Sequence, residues 1–238
     1  MLLARRIWNW CRRFRYRCGY GVHSPSDFFL ITSVMYETLP YYAYEDIAEI
    51  RQLAIDQTHN FWRHPRIISF KNAKLIFRIT NYFNPARILQ IGTNYGVSSA
   101  CMLAVSSKSQ LYLCEANVTE YPVTQPILSR FSNTIHHFRT FADGIKAYHS
   151  TPEGQAEPFL LINDIKEEEY SEVLSYLYEI RNSKGVIIIR NIGRSAALKN
   201  LWEACRNAAP TGMTFSNGKI SVIVASPKLP HQNFSLWF

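Results

Sequence analysis

The sequence predicts an α/β protein with a mostly parallel, doubly wound sheet of seven strands and a helical extension at its N-terminus. Three observations predict it. From residue 85 onward, short β-rich apolar runs alternate with helical stretches, the rhythm of parallel β/α units. The run "GMTFSNGKISVIVAS" then sets Asn217-Gly218 between two β segments, a strong hairpin signal, so the sheet closes with an antiparallel pair. Before residue 85 the periodic segments have helical spacing. At 238 residues, 47% hydrophobic and 14% aromatic, the chain can bury the core such a sheet needs.

The first element is an amphipathic helix. At about 100° per residue, Leu3, Ile7, Trp10, Cys11, Phe14 and Cys18 fall on one face, while Arg5, Arg6, Arg12, Arg13, Arg15 and Arg17 take the other. Two readings of residues 1–18 stay open: a helix packed on the body with a solvated arginine face, or one docked on an anionic membrane surface or an acidic partner. Ser24 then stands as N-cap, Pro25 at the first helical position and Asp27 in the first turn of a second helix. "YEDIAEIRQLAIDQ" and "FKNAKLIFRITNYF" give two more, the latter ending near Phe83, where Asn84-Pro85 punctuates the chain. Strands are expected at 88–91, 110–114, 134–139, 159–162 and 185–190, with helices beginning near Val97, Val123, Ala142, Glu167 and Arg194. The chain divides into a helical region, 1–84, which includes the arginine-bearing helix and a lid, and a sheet domain, 85–238.

Charge and cysteine usage exclude several function classes. The net charge is +8, but residues 1–20 hold six arginines and no acid, which leaves +2 on the rest of the chain. A body so nearly balanced argues against a basic groove, so no nucleic acid is expected as a partner. No apolar run reaches the roughly 18 residues of a membrane span. Arginines interrupt the N-terminal apolar residues before a signal-peptide core forms, so a cytoplasmic location is expected, peripheral to a membrane if the arginine face docks there. The five cysteines (Cys11, Cys18, Cys101, Cys114, Cys205) include no C-x-x-C pair and read as core residues, not as a disulfide framework or a zinc site.

Residues 87–99, "RILQIGTNYGVSS", form a buried strand that runs into a turn with Gly92 and Gly96 and then into a helix. In an open α/β sheet a ligand lies beyond the carboxyl ends of the strands where strand order reverses, and the turn after the first strand sits there. Gly92 lets the backbone approach a ligand, and Gly96 permits tight passage into a helix whose amino terminus favours a carboxylate. Glu115, about 20 residues past the turn at the end of the second strand, is placed to accept hydrogen bonds from both hydroxyls of a ribose. Its alternative role is a solvated or helix-capping acid.

"NPARILQIGTNYGVSSACMLA" resembles the first motif of the class I S-adenosylmethionine-dependent methyltransferases, specifically their small O-methyltransferase-like branch, where it runs roughly Leu-Glu-Ile-Gly-Thr-Ser-x-Gly-x-Ser/Thr. "LYLCEAN" resembles the second motif, a strand ending in an acid. "GYGVHSP" and "LPHQNFSLWF" resemble strings in a set of bacterial methyltransferase-like proteins, which extends the likeness over nearly the whole chain. The resemblance implies a Rossmann-like methyltransferase fold, S-adenosyl-L-methionine as cofactor, and cofactor contacts from Gln90, Gly92, Thr93, Asn94, Gly96, Glu115, Asp143 and Asn163. Three departures stand out. Gln90 is neutral where relatives carry an acid. Ala142 or Asp143 falls where relatives keep an acid or amide for the adenine amino group. Metal-dependent relatives build a Mg²⁺ site from an Asp after the fourth strand and an Asp-Asn pair after the fifth; here those positions read Asn163 and Arg190-Asn191. A hard divalent cation needs anionic oxygen ligands, so no metal is expected.

The catalytic candidates are Arg190, Asn191 and His23. Arg190 acts as a fixed cation in the metal's place, or it pairs with Asp164. His23 serves as a general base near neutral pH if the early helices fold over the crevice, with Tyr20 beside it, or it holds the turn before Ser24. His136 and His137 point to opposite faces of the third strand and cannot form one ligand pair. "KEEEY", residues 166–170, reads as a solvated helix start. The expected function is metal-independent methyl transfer to an oxygen of a small acceptor. Its rival is a non-catalytic descendant of the fold that serves as a binding or scaffold module, at a membrane through residues 1–18. The sequence does not identify the acceptor, and it leaves a homodimer open.

Overall fold

The strands are β1 (Arg87–Ile91), β2 (Gln110–Cys114), β3 (Ile135–Phe138), β4 (Phe159–Ile162), β5 (Gly185–Arg190), β6 (Met213–Ser216), β7 (Ile220–Ala225) and β8 (Gln232–Ser235). They form one sheet in the order β3-β2-β1-β4-β5-β7-β6-β8. This is a computed structural model, and it describes residues 22, 24–59, 67–115, 117–150, 157–208 and 211–236. The helix expected at residues 1–18, Tyr20 and His23 lie outside the described residues. Strands β1 to β5 run parallel, and β7 runs antiparallel to both β5 and β6. The chain builds outward from β1 to β3 and then lays β4 on the other side of β1. Strand order therefore reverses between β1 and β4, where α/β sheets of this kind open their ligand crevice.

The expected seven strands are joined by an eighth. Strand β8 pairs parallel to β6 at the sheet edge, from a string too short and polar to show a β pattern. Phe234 anchors it by stacking on Phe215 with ring centroids 5.2 Å apart.

The helices are α1 (Pro25–Leu30), which continues as a π-helical turn over Ile31–Met35, α2 (Ala43–His59), α3 (Phe70–Phe83), α4 (Val97–Leu103), α5 (Tyr121–Leu128), α6 (Phe141–His149), α7 (Tyr170–Asn182) and α8 (Ala196–Asn207). Helix α3 has the bounds its sequence predicts: Ser69 caps its start, and Asn84, in the left-handed region at φ 42°, ends it before Pro85. Ser24 holds the N-cap position of α1, but its hydroxyl contacts Ser26 and caps no backbone N–H.

Side-chain alternation sorts the strands between two apolar layers. Ile88, Leu111, Leu113, Phe159, Leu161, Val186 and Ile188 face a cluster that includes residues of α1 to α5. Leu89, Ile91, Tyr112, Cys114, Leu160, Ile162, Ile187 and Ile189 face α6, α7 and α8. Helices α1 to α3 thus share one core with the sheet. By the same alternation Gln90, Asn163 and Arg190 all belong to the first face, at the carboxyl edge. Three polar residues at the ends of three adjacent strands converge there.

If β8 is integral to the sheet, Phe234→Ala should lower the stability measured by urea unfolding by about 3 kcal/mol, the usual loss for an aromatic ring removed from a packed site. A change of a few tenths would mean the edge strand contributes nothing to the core.

Candidate functional site

The converging residues form one hydrogen-bonded network. Gln90 Nε2 donates to the carbonyl of Gly92 (2.8 Å), and Gln90 Oε1 accepts from Ser99 Oγ (2.9 Å). Asn163 Nδ2 donates to the same Gly92 carbonyl (2.8 Å) and to Ser98 Oγ (2.9 Å). Arg190 Nη1 donates to Asn94 Oδ1 (2.9 Å) and to Asn163 Oδ1. Asn191, held at φ 57°, donates from Nδ2 to the carbonyl of Asn163 (3.1 Å). Gln90, Asn94, Asn163 and Arg190 are all buried. The network fastens the ends of β1, β4 and β5 to the turn and to the start of α4.

Arg190 is the only charged member of that set, and its direct partners are amide oxygens. Burial pulls its pKa down to about 10; the nearby Cys101 and the buried Glu120 oppose the shift, and Arg194 adds to it. It is still a cation at neutral pH. The pairing with Asp164 that the sequence left open does not form: Asp164 pairs instead with Arg194, at 3.3 Å.

The turn itself is backbone-strained. Gly92, Asn94, Tyr95 and Gly96 have φ of 78°, 48°, 58° and 77°. Left-handed backbone costs a non-glycine residue roughly 1–2 kcal/mol, so Asn94 and Tyr95 need support from outside the turn. Arg190 holds Asn94, and Glu120 Oε2 accepts from Thr93 Oγ1 (2.6 Å) and from the Tyr95 N–H (3.4 Å). Glu120 is buried, and in the sequence it looks like any acid at a helix start, so this role is not legible there. Gly92 is required by the chain itself, since a Cβ there would lie 2.9 Å from the backbone nitrogen of Asp164.

On the β2–β3 side of the turn lies a cavity of about 500 Å³, lined by Glu115, Tyr121, His137, Phe138 and Arg139. Glu115 is half-buried, and its carboxylate hydrogen-bonds no other described residue. His137 lines this cavity with the Tyr121 ring edge-on to it at 6.0 Å, while His136 stacks on Tyr112 on the opposite face, as alternation predicts. Burial disfavours the His137 imidazolium and lowers its pKa, with Glu115 opposing. The sequence missed His137 and Tyr121. Only the pairing register, Leu113 opposite His137, brings that histidine to the face of Glu115.

Asp143 is exposed, and its side chain is engaged in a helix cap: it accepts from Thr140 Oγ1 (2.7 Å), whose oxygen accepts from the Asp143 N–H (3.2 Å). Nor are all the acids of "KEEEY" solvated. Glu169 is buried and accepts from the Phe141 N–H at 2.9 Å, capping the neighbouring helix α6. Cys101, Cys114 and Cys205 are buried thiols, each pushed up to about 12 by burial. Cys11 and Cys18 lie outside the described residues.

On the β5 side of the turn a second cavity, of about 350 Å³, is lined by residues that include Ser69, Asn72, Arg190, Asn191, Arg194 and Lys219. The positions that the resemblance gave to a metal thus hold two amides and a guanidinium that binds an oxygen of one of them. That donor set does not fit a divalent cation.

No family model matches this sequence, and no curated protein shows significant similarity to it. Solved structures do match. An O-methyltransferase from Bacillus cereus in complex with SAH superposes with a TM-score of 0.55 at 17% identity, over 81% of this chain and 95% of that one. A methyltransferase from Geobacter sulfurreducens gives 0.54 at 15% identity, over 82% and 95%. The O-methyltransferase of tomaymycin synthesis from Streptomyces achromogenes, in complex with SAM, gives 0.52 at 14% identity, over 84% and 95%. The expected Rossmann-like methyltransferase fold is therefore the fold of this chain.

Two outcomes test this geometry. Gly92→Ala should destabilise the protein by about 2 kcal/mol or more, because it adds both left-handed strain and a backbone clash. The depressed pKa of His137 gives stability that is present above its ordinary value of 6.5 and is lost as pH falls through the lower folded value. Urea unfolding should show that loss between neutral and mildly acidic pH, and His137→Gln should reduce it.

Proposed function

We propose that the protein is an S-adenosylmethionine-dependent methyltransferase that acts on an oxygen of a small acceptor without a divalent metal. Glu115 carries the reading. It stands at the end of β2, beside the glycine turn, in a cavity with aromatic walls and with carboxylate oxygens that no described residue occupies. A ribose diol supplies the two donors such a carboxylate lacks, and Tyr121, His137 and Phe138 offer flat surfaces for a base. Gln90, Asn163 and Thr93 fit a supporting role, holding the turn that would face the amino-acid end of the cofactor. When bound, the cofactor supplies a methyl group activated on a sulfonium.

Methyl transfer then needs in-line placement of the acceptor oxygen and stabilisation of its developing negative charge. Arg190 is suited to the second task. It is a cation fixed in place by Asn94 and Asn163 before any substrate arrives, so it need not reorganise as charge develops. Asn191 helps by tethering the loop after β5 to the end of β4. His23 remains the candidate general base on sequence alone. No helix among the described residues is long and apolar enough to cross a membrane; docking of residues 1–18 on an anionic surface stays a proposal.

Calorimetric titration with S-adenosylhomocysteine should give micromolar affinity, and Glu115→Ala should weaken it at least tenfold, since such a bidentate contact contributes on the order of 2 kcal/mol. An undetectable interaction at millimolar ligand would instead favour a non-catalytic binding module. Turnover should be insensitive to chelator. Arg190→Ala should lower turnover by a factor of about 10² to 10³ with a much smaller change in cofactor affinity. Arg190→Lys should restore only part of it, because a point charge cannot reproduce the planar fork.

A further inference from the structure

We infer that the cavity beyond β5 holds the acceptor by an anionic group, a carboxylate or a phosphate; calling the occupant an acceptor rests on the methyltransferase reading. The fold gathers cations there from three separate elements. Arg190 ends β5. The loop after it, through Asn191 and Gly193, brings Arg194. Strand β6 runs in the direction of β5 because both are antiparallel to β7, so the β6–β7 hairpin emerges at the same sheet edge. Ile220 pairs with Arg190, which brings the neighbouring Lys219 to the end of β5 and to the same cavity. All three cations line the cavity, and among the described residues that line it there is no acid. Asp164, the partner of Arg194, offsets one of these charges from outside it.

Two further observations point to an anion. Arg190 is only 3% exposed, yet both its hydrogen bonds leave from Nη1. Its Nε and Nη2 bind no described residue. Neither atom is sealed off by the described residues, and Arg190 lines the cavity, so both donors are available to an anion there. The remaining wall is the start of α3, a helix of 14 residues with Ser69 as N-cap, Asn72 in its first turn and no acid there to meet the positive end of its dipole. A guanidinium fork, two more cations and a helix amino terminus around about 350 Å³ suit one carboxylate or phosphate attached to a small body.

The test uses the full chain without cofactor and three probes of one shape: benzoate, phenyl phosphate and the neutral benzamide, each titrated by calorimetry. At least one anion should bind, and benzamide at least tenfold more weakly; the tighter of the two anions identifies the group as carboxylate or phosphate. The double variant Arg194→Gln/Lys219→Gln, checked for an unchanged thermal transition, should lose at least tenfold in anion affinity. Lys219→Gln alone, at an exposed hairpin position, should show a smaller loss in the same direction. Benzamide binding as tightly as the anions, no binding by any probe, or undiminished anion affinity in the double variant would overturn the inference. Titrating S-adenosylhomocysteine into the same proteins separates the two claims. Cofactor binding without anion binding defeats this inference and leaves the methyltransferase reading standing, whereas the reverse result keeps the anion site and defeats that reading.

Discussion

A buried guanidinium at the end of β5 organises this molecule's carboxyl edge. Arg190 carries a full charge on a side chain that is almost entirely buried and has two side-chain amides as its direct partners. Removing such a charge from water costs several kcal/mol, and charge-assisted hydrogen bonds recover that only if the acceptors are held in position. The acceptors are so held: Asn163 is pinned through its other face to Gly92 and Ser98, and Asn94 sits in a left-handed turn that Glu120 braces from the opposite side. Strand parity makes this arrangement available, because Gln90, Asn163 and Arg190 project to one side of three adjacent strands.

That constraint divides the space above the sheet. The turn after β1 is fixed between two cavities, one beyond β2 and β3 around Glu115 and one beyond β5 around Arg190. The proposed methyl transfer would use such a division, with donor and acceptor entering from different sides and meeting at a rigid centre. A protein cation occupies positions that the resemblance in sequence assigns to a metal site, and rigidity there comes from amides and hydroxyls. Amides at positions 90 and 163 both donate to the carbonyl of Gly92, which an ionised carboxylate could not do.

Much of the fold was legible in the sequence, because periodicity and turn chemistry report local structure directly. The bounds of β2, β4 and β5, the stop of α3 at Asn84 and the Asn-Gly hairpin were all readable. Strand β8 was not, since its place depends on an edge left open by β6, which no local pattern records. The site was legible as a set of strand ends but not as a set of contacts. The sequence marked Arg190 as out of place, and adjacency suggested Asp164 as a partner; packing instead gave Asp164 to Arg194 and left Arg190 to amides from positions 94 and 163. Glu120 and His137 escaped notice for the same reason, as their roles follow from strand register and the docking of a turn against a distant helix start.

How the carboxyl edge is held depends on whether Arg190 and Asn163 act as one unit. A double-mutant cycle on Arg190→Met and Asn163→Leu, with stability read by urea unfolding, measures that directly, because effects private to each substitution cancel in the cycle. Replacing both partners removes a buried charge together with its acceptor, so the double variant should be more stable than the sum of the single losses allows, with a coupling on the order of 2 kcal/mol. Losses that simply add, to within about 0.5 kcal/mol, would show that the guanidinium does not hold the end of β4.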